Sequence, residues 1–338
     1  MGSNMKKSKV LITGIAGLLG ANFSRYLLSK GYTVIGIDDL SGGYESNVPE
    51  DCTFYKGDLI EADEVQRIFE KENPDYVYHF AAYAAVCLSP FIRNFNYQNN
   101  VVCSANVINA SINTRSVKKL IFSSSMDVYG AQRPPFNEEM IPQPADPYGI
   151  AKYAIELDLK SASEQFGLRY SIIRPHNVAG VYQNIWDRYR NVIGIWIRQT
   201  LRNEPLTIYG DGTQIRSFSD ITFYMKPFEK LMYEHDSETF NIGADQYCTI
   251  NELADTFEKV ANNLGHQTSR AYLEKRQEVH SAYCDHTKAQ KLLNFYDNTD
   301  LEKTMDAMFK WAISEPERPI KYMDYEIEKG MYSFWKKD

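Results

Sequence analysis

The sequence predicts an α/β fold in which a doubly wound parallel sheet is followed by a smaller mixed α/β C-terminal lobe. Lys9-Val-Leu-Ile-Thr13 is a short apolar run that passes at once into Gly14-Ile-Ala-Gly17-Leu-Leu-Gly20 and an amphipathic segment to Lys30. The change of period reads as strand, glycine turn and helix. Leu120-Ile-Phe122 is a second buried run ending in Ser123-Ser124-Ser125, and a helix is expected from Pro147 to Phe166, opened by proline and stopped by Gly167. At 338 residues the chain is long for one domain and short for three, so one sizeable core and a smaller lobe are expected.

Taken in order, the first glycines let backbone approach a pyrophosphate at the positive end of a helix, and the third permits close packing on the sheet. A second strand, Tyr32 to Ile37, ends in Asp38-Asp39, where a carboxylate accepts ribose hydroxyls and repels a 2′-phosphate. The sheet is therefore expected to be of the Rossmann type, binding NAD rather than NADP. Strands follow at Thr53 to Lys56, ending Gly57-Asp58-Leu59, and at Tyr76 to Phe80, ending Ala81-Ala82. Asp58 is either an acceptor for the adenine amino group or a cap for the helix Glu61 to Glu72. The two alanines leave room for a cofactor. A long helix, roughly Asn96 to Asn113, leads to the strand before Ser123, with Asn99 and Asn100 at its start, placed to hold backbone across the sheet.

Tyr148 and Lys152 are four apart and share one face of their helix. Tyr-x-x-x-Lys recurs at Tyr26/Lys30, Tyr325/Lys329 and Tyr332/Lys336, but only Tyr148/Lys152 follows a strand ending in hydroxyls and has proline before and glycine after its tyrosine. A phenol with a pKa of about 10 is a poor base, whereas one beside an ammonium group and a cationic nicotinamide ionises more readily, and Ser125 can share the proton.

Composition narrows the function classes. Hydrophobic residues make up 43% and charged residues 24%, ordinary for a soluble globular protein. No apolar run reaches membrane-spanning length, and the first residues lack the core of a signal peptide, so a cytoplasmic location without membrane attachment is expected. Residues 1–4 read as an appended remnant before Met5, without the Ser/Thr that myristoylation needs at position 6. A net charge of −7 with no basic stripe argues against nucleic acid. Cys52, Cys87, Cys103, Cys248 and Cys284 are scattered, which points to free buried thiols and to neither a disulfide framework nor a metal site.

Thr13-Gly14-x-x-Gly17-x-x-Gly20, Asp38, Asp58-Leu59, His79-Phe-Ala-Ala82, Asn99-Asn100-Val, Ser123-Ser-Ser125 and Tyr148-x-x-x-Lys152 together resemble the extended short-chain dehydrogenase/reductase family, in its nucleotide-sugar epimerase and dehydratase branch. The resemblance covers nearly the whole chain. It implies an NAD site lined by Gly14, Gly17, Leu18, Leu19, Asp38, Asp39, Leu40, Ser41, Gly42, Gly43, Asp58, Leu59, Phe80, Ala81, Ala82, Ala84, Asn99, Ser123, Tyr148, Lys152 and His176. Ala84 stands where the epimerases typically have lysine. The resemblance also implies an NAD-binding part over 5–176, joined by later segments, and a substrate lobe over 177–338, with Asn177 on the sugar nucleotide. Asn191 resembles a pyrophosphate or base contact and Arg216 a diphosphate ligand; Arg276 would supply a second fork. Thr222-Phe223 replaces the family's usual Asp pair near the entrance.

Tyr283 stands where side-chain bulk disfavours a 2-N-acetyl group, pointing to a non-acetylated hexose. The stretch Tyr182 to Arg190 forms a cleft wall or packs beneath it. The aromatic tail, Pro316 to Asp338, is expected to pack on the substrate lobe or on a second subunit. A family-type homodimer would join the helices at about 96–113 and 147–166.

Resembling 4,6-dehydratases carry Asp-Glu where this chain has Met126-Asp127, and resembling 3,5-epimerases carry a cysteine there. Methionine cannot protonate a leaving hydroxyl, which argues against dehydration. Asp127 either acts on the substrate or caps the following turn. The expectation is an NAD-dependent 4-epimerase of a UDP-sugar, of the UDP-glucose/galactose type. Tyr148 would take the proton from O4 as hydride passes from C4 to NAD, Ser125 would share it, and Lys152 would hold the ribose and depress the phenol pKa. The alternatives are a net C4 dehydrogenase or reductase, a 4,6-dehydratase, and a non-catalytic NAD-sensing protein.

Overall fold

The computed structural model describes residues 7–336, so the readings of Met1 to Met5 lie outside the described residues. Strands β1 (Lys9–Thr13), β2 (Thr33–Asp38), β3 (Thr53–Lys56), β4 (Tyr76–His79), β5 (Lys119–Ser123) and β6 (Tyr170–Pro175) are followed by β7 (Asn177–Ala179), β8 (Leu206–Tyr209), β9 (Ile215–Arg216), β10 (Phe218–Asp220) and β11 (Glu238–Ile242). The main sheet has seven parallel strands in the order β11-β6-β5-β4-β1-β2-β3. The order reverses between β1 and β4, and in such sheets ligands bind outside the carboxyl ends at that point.

Helices cover both faces because neighbouring strand residues point to opposite sides. Leu11, Ile35, Val77, Leu120 and Phe122 pack against α2 (Ala62–Glu72), α4 (Cys103–Asn113) and α5 (Pro147–Phe166). Val10, Ile12, Val34, Tyr78 and Ile121 pack against α1 (Leu18–Ser29), α7 (Met225–Leu231) and α9 (Thr287–Leu293). Each such buried side chain contributes about 1.5–3 kcal/mol relative to exposure. The lobe has its own core, in which α6 (Val192–Leu201), α8 (Ile250–Asn263) and α10 (Leu301–Ser314) meet β8. Its small sheets add β12 (Cys248–Thr249), β13 (Arg270–Leu273) and β14 (Ser281–Ala282).

Elements expected from the sequence recur within a few residues, with one informative difference. The helix expected from Asn96 begins as α3 (Arg93–Tyr97) and passes through a π turn at Gln98–Val102 before α4. Asn100 is tied there to the backbone of Tyr83, accepting from its N–H at 3.1 Å and donating to its carbonyl at 3.2 Å. Glu326 caps the helix start by accepting from the N–H groups of Asn94 and Phe95. That carboxylate comes from the aromatic tail, which packs on the segment around Phe91 and on Tyr189 rather than only on the lobe. Among the described residues the five cysteines are free, two of them buried and three half-buried, and no helix is long and apolar enough to cross a membrane.

Candidate active site

A continuous cleft of about 1320 Å³ opens at the carboxyl ends of the main strands and runs beneath the lobe. Every residue expected at the cofactor lines it except Leu40, and every residue expected at the substrate lines it except Tyr283. Leu40 occupies a left-handed turn (φ 63°), its N–H held by Asp38 at 2.8 Å, which takes it out of the lining. Tyr283 follows β14, where alternation sends Ala282 into the cleft and the Tyr283 ring onto Tyr247, with centroids 4.5 Å apart. The bulk expected against an N-acetyl group therefore does not line the cleft. Thr222 and Phe223 also lie outside the lining.

In the cofactor half, Gly14 has φ +74°, and a Cβ there would lie 2.7 Å from the Ala81 nitrogen; one on Gly20 would lie 2.2 Å from the Gly14 carbonyl. No side chain caps α1 at Gly17, so its first-turn amides are left for an anion. Asp38 braces the turn, accepting from the Ala16 N–H at 2.9 Å. Asp58 accepts from the Ile60 N–H and does not cap α2, whose N-cap position is Glu61. These features fit a dinucleotide: the glycines admit its diphosphate, and Asp38, Asp39 and Asp58 offer acceptors for hydroxyls and an amino group.

The three hydroxyls after β5 divide their tasks. The Ser123 carbonyl accepts from Lys152 Nζ at 2.7 Å, Ser124 donates to Glu156, and Ser125 Oγ donates to Asp127 Oδ2 at 2.8 Å. Tyr148 is buried, with the Ser125 hydroxyl near enough to favour its ionised form. Ser125, not Asp127, caps the following turn, by accepting from the Asp127 N–H at 3.1 Å, which leaves the Asp127 carboxyl in the cleft. Burial pushes the Tyr148 phenol up, and the Asp127 charge adds to this; Ser125 and Arg190 act the other way. Burial also brings Lys152 down to about 7 and, helped by the Asp146 charge, takes Asp127 up to about 6. The expected depression of the phenol by Lys152 is thus not present in the protein alone. Both groups have lost water, and Lys152 Nζ stands 5.8 Å from the Tyr148 ring centroid.

Asn177 donates to the Ser217 carbonyl at 2.9 Å and Asn191 caps α6 through its Oδ1. Asn191 also has φ 68°, and its buried Nδ2 lacks a partner, an orphan donor at the wall of the cleft. Arg216 is less free than expected. It pairs with Glu278 at 2.8 Å and donates to the carbonyls of Ile215, Val279 and His280. Arg276 stacks over Tyr209 at 3.9 Å and lies 3.8 Å from the same carboxylate.

His176, expected at the cofactor, lines the cleft but is held by Ser217 and by His286, Nε2 to Nε2 at 2.6 Å. Together with Cys284 these histidines form a buried group whose ligand atoms lie within 4.8 Å. At 2.6 Å the two nitrogens share a proton directly, whereas on one tetrahedral ion they would stand about 3.3 Å apart.

The comparisons agree with this geometry. Residues 10–243 match the model of the NAD dependent epimerase/dehydratase family. The chain belongs to that family. It is 27% identical to the UDP-glucuronate 4-epimerase of Thermodesulfobacterium geofontis, over 89% of this chain and 95% of the relative. Among solved structures, UDP-glucose 4-epimerase from Thermotoga maritima with UDP-glucose superimposes with a TM-score of 0.84 at 31% identity, covering 90% of this chain and 98% of that one. UDP-N-acetylglucosamine 4-epimerase from Methanobrevibacter ruminantium, in complex with UDP-N-acetylmuramic acid, gives 0.83 at 32%, covering 92% and 99%. The protein is an NAD-dependent epimerase of the extended short-chain dehydrogenase/reductase type.

Sequence reasoning missed several residues that shape the epimerase site. Asp146 caps α5, accepting from the N–H groups of Tyr148 at 2.9 Å and Gly149 at 3.1 Å. Asp before Pro147 was a visible cap signal. Glu156 binds Arg174 and Ser124 in a buried network that reaches Tyr129 and Asn241, and no local pattern announces it. Glu278 enters the cleft from the lobe through tertiary contacts alone, whereas Arg190 closes the stretch expected either to form a cleft wall or to pack beneath it, and it lines the cleft.

Proposed function

We propose that the protein is a 4-epimerase of a UDP-hexose, working through a transient 4-keto sugar. The observation that carries this is the meeting of Ser125, Tyr148 and Lys152 at the carboxyl end of β5, in one cleft with the dinucleotide turn, where Met126 supplies no acid for dehydration. Bound NAD supplies the acceptor and later the donor of the C4 hydride. The glycine turn, Asp38, Asp39, Asp58, Asn99 and Lys152 would hold it.

With the nicotinamide cation in place to favour its ionised form, Tyr148 would take the proton from the sugar O4 as hydride leaves C4, and return it to O4 after the ketone has turned its other face. Ser125 bridges Tyr148 to Asp127, whose carboxyl, pushed up to about 6, retains part of its protonated population near neutrality and buffers the proton on the phenol. The orphan Nδ2 of Asn191 and the Arg276 guanidinium, both in the cleft lining, would serve the sugar-nucleotide diphosphate. Ala282 leaves the sugar wall small, so an N-acetyl group is not excluded there, while the Asp127 carboxylate beside Tyr148 disfavours an anionic uronate. The division into an NAD-binding part over 5–176 and a lobe over 177–338 is part of the same proposal, and β11 is a later segment that rejoins the sheet beside β6.

The test incubates purified protein with UDP-glucose, UDP-galactose, their N-acetyl analogues and UDP-glucuronate, following product by NMR and NADH by absorbance. Interconversion at C4 without net NADH is expected, and Tyr148→Phe should lower it about 10²- to 10⁴-fold while NAD stays bound. Net NADH would instead make it a dehydrogenase, and inertness to every sugar nucleotide would leave a sensor.

A further inference from the structure

We propose that Arg190 is a ligand of the cofactor diphosphate; this rests on NAD as the cofactor. Arg190 ends the loop before α6, and its side chain is only 19% exposed. Its Nε donates to Asp187 Oδ2 at 2.8 Å, and the guanidinium lies 4.7 Å from the Tyr83 ring centroid, so two contacts fix its direction. Neither terminal nitrogen donates to a protein acceptor among the described residues, yet the side chain lines the cleft. Nη2 stands 2.8 Å from the point that a Cβ on Gly42 would occupy, so the glycine leaves the fork its approach. Arg190 lies near enough to both Asp38, at the ribose end, and Tyr148, at the reacting end, for its charge to favour the ionised form of each. The middle of a bound dinucleotide is its diphosphate.

The other cations of the lining are placed elsewhere. Lys152 is fastened to the Ser123 carbonyl, Arg216 and Arg276 flank Glu278, Lys275 packs beside Gly210 of the lobe, and Lys329 belongs to the aromatic tail. Ala81, Ala82 and Ala84, beside Tyr83, carry no charge. The helix amides at the glycine turn supply only a partial positive charge, whereas a planar guanidinium presents two parallel charge-assisted donors to a diphosphate. Because the loop belongs to the lobe, this contact also ties the lobe to the sheet through the cofactor.

The experiment measures NAD per chain in freshly purified protein, and, after stripping, titrates NAD, ADP-ribose, adenosine and UDP calorimetrically into the parent, Arg190→Gln and Arg190→Lys proteins. Arg190→Gln is expected to bind NAD and ADP-ribose about 10- to 100-fold more weakly, with adenosine unchanged, and Arg190→Lys to recover part of the loss. Unchanged NAD affinity in Arg190→Gln, an equal loss for adenosine, or a loss confined to UDP would each overturn the assignment. Thermal melts confirm folding, and Arg190→Lys carries the comparison should the glutamine variant not fold. A parent protein that binds no NAD would instead defeat the cofactor reading itself.

Discussion

Three buried ionisable residues crowd the reacting end of the cleft, and burial disfavours the charged form of each. For Asp127, taken up to about 6 from an ordinary value near 4, the folded chain holds the proton more tightly than the unfolded one. The stability it contributes is therefore present at low pH and lost as pH rises through the window from about 4 to about 6. Lys152, brought down to about 7, has the opposite dependence, costing most below that pH and nothing above about 10. Asp127→Asn should accordingly stabilise the cofactor-free protein at about pH 8 by about 2–3 kcal/mol, raising its melting temperature by a few degrees, and make no difference below about pH 4. Melting curves across pH check this; a gain that is the same at both ends would detach it from the carboxylate charge.

At the scale of the element, α5 carries the chemistry because its start is fixed. Asp146 accepts two first-turn N–H groups and a hydrogen bond from the Ser89 hydroxyl at 3.2 Å, and Pro147 suits the first helical position. Tyr148 stands in that first turn, so fraying there moves the phenol away from Ser125. Asp146→Ala is expected to cost about 0.5–2 kcal/mol in urea denaturation and to reduce kcat more than it weakens NAD binding, with Asp146→Ser restoring most of the stability. Equal kcat in the alanine variant would mean that the cap serves the fold alone. The strands play a complementary part: β5 ends at Ser123 and leads into Ser124 and Ser125, and at the end of β1 the Thr13 hydroxyl lies 2.7 Å from Nδ1 of His79, the last residue of β4, bracing β1 to β4.

Across the whole molecule, the lobe and the tail complete a site that the sheet begins. The tail caps α3 through Glu326 and lines the cleft with Met331 and Tyr332. On the opposite flank, Ile150 and Leu157, seven residues apart on α5, are 42% and 52% exposed, and Val102 of the adjoining π turn is 42% exposed. Apolar side chains left outward on a packed helix pair suit a self-complementary contact, so we place the proposed homodimer there. Sedimentation should show a dimer for the parent and a monomer for Leu157→Arg with its melting curve largely kept; a dimer in both would move the interface elsewhere.

The glycine turn, Asp38, the serines after β5 and the Tyr148/Lys152 pair were legible in the sequence because each depends on neighbours close in the chain: a strand end, a helix start, a four-residue spacing. Side-chain alternation was legible only in principle, and it is Ala282, with the expected Tyr283 turned onto Tyr247, that lines the cleft. Leu40 left the lining through a left-handed turn that no propensity announced. The sequence by itself determined the sheet, its cofactor turn and the reacting triad. Only the tertiary structure decided which way the phenol, ammonium and carboxyl protonation states lean, how Glu278 engages the two arginines, and that Arg190 reaches the cleft, because burial and pairing across distant segments are set by how the whole chain packs.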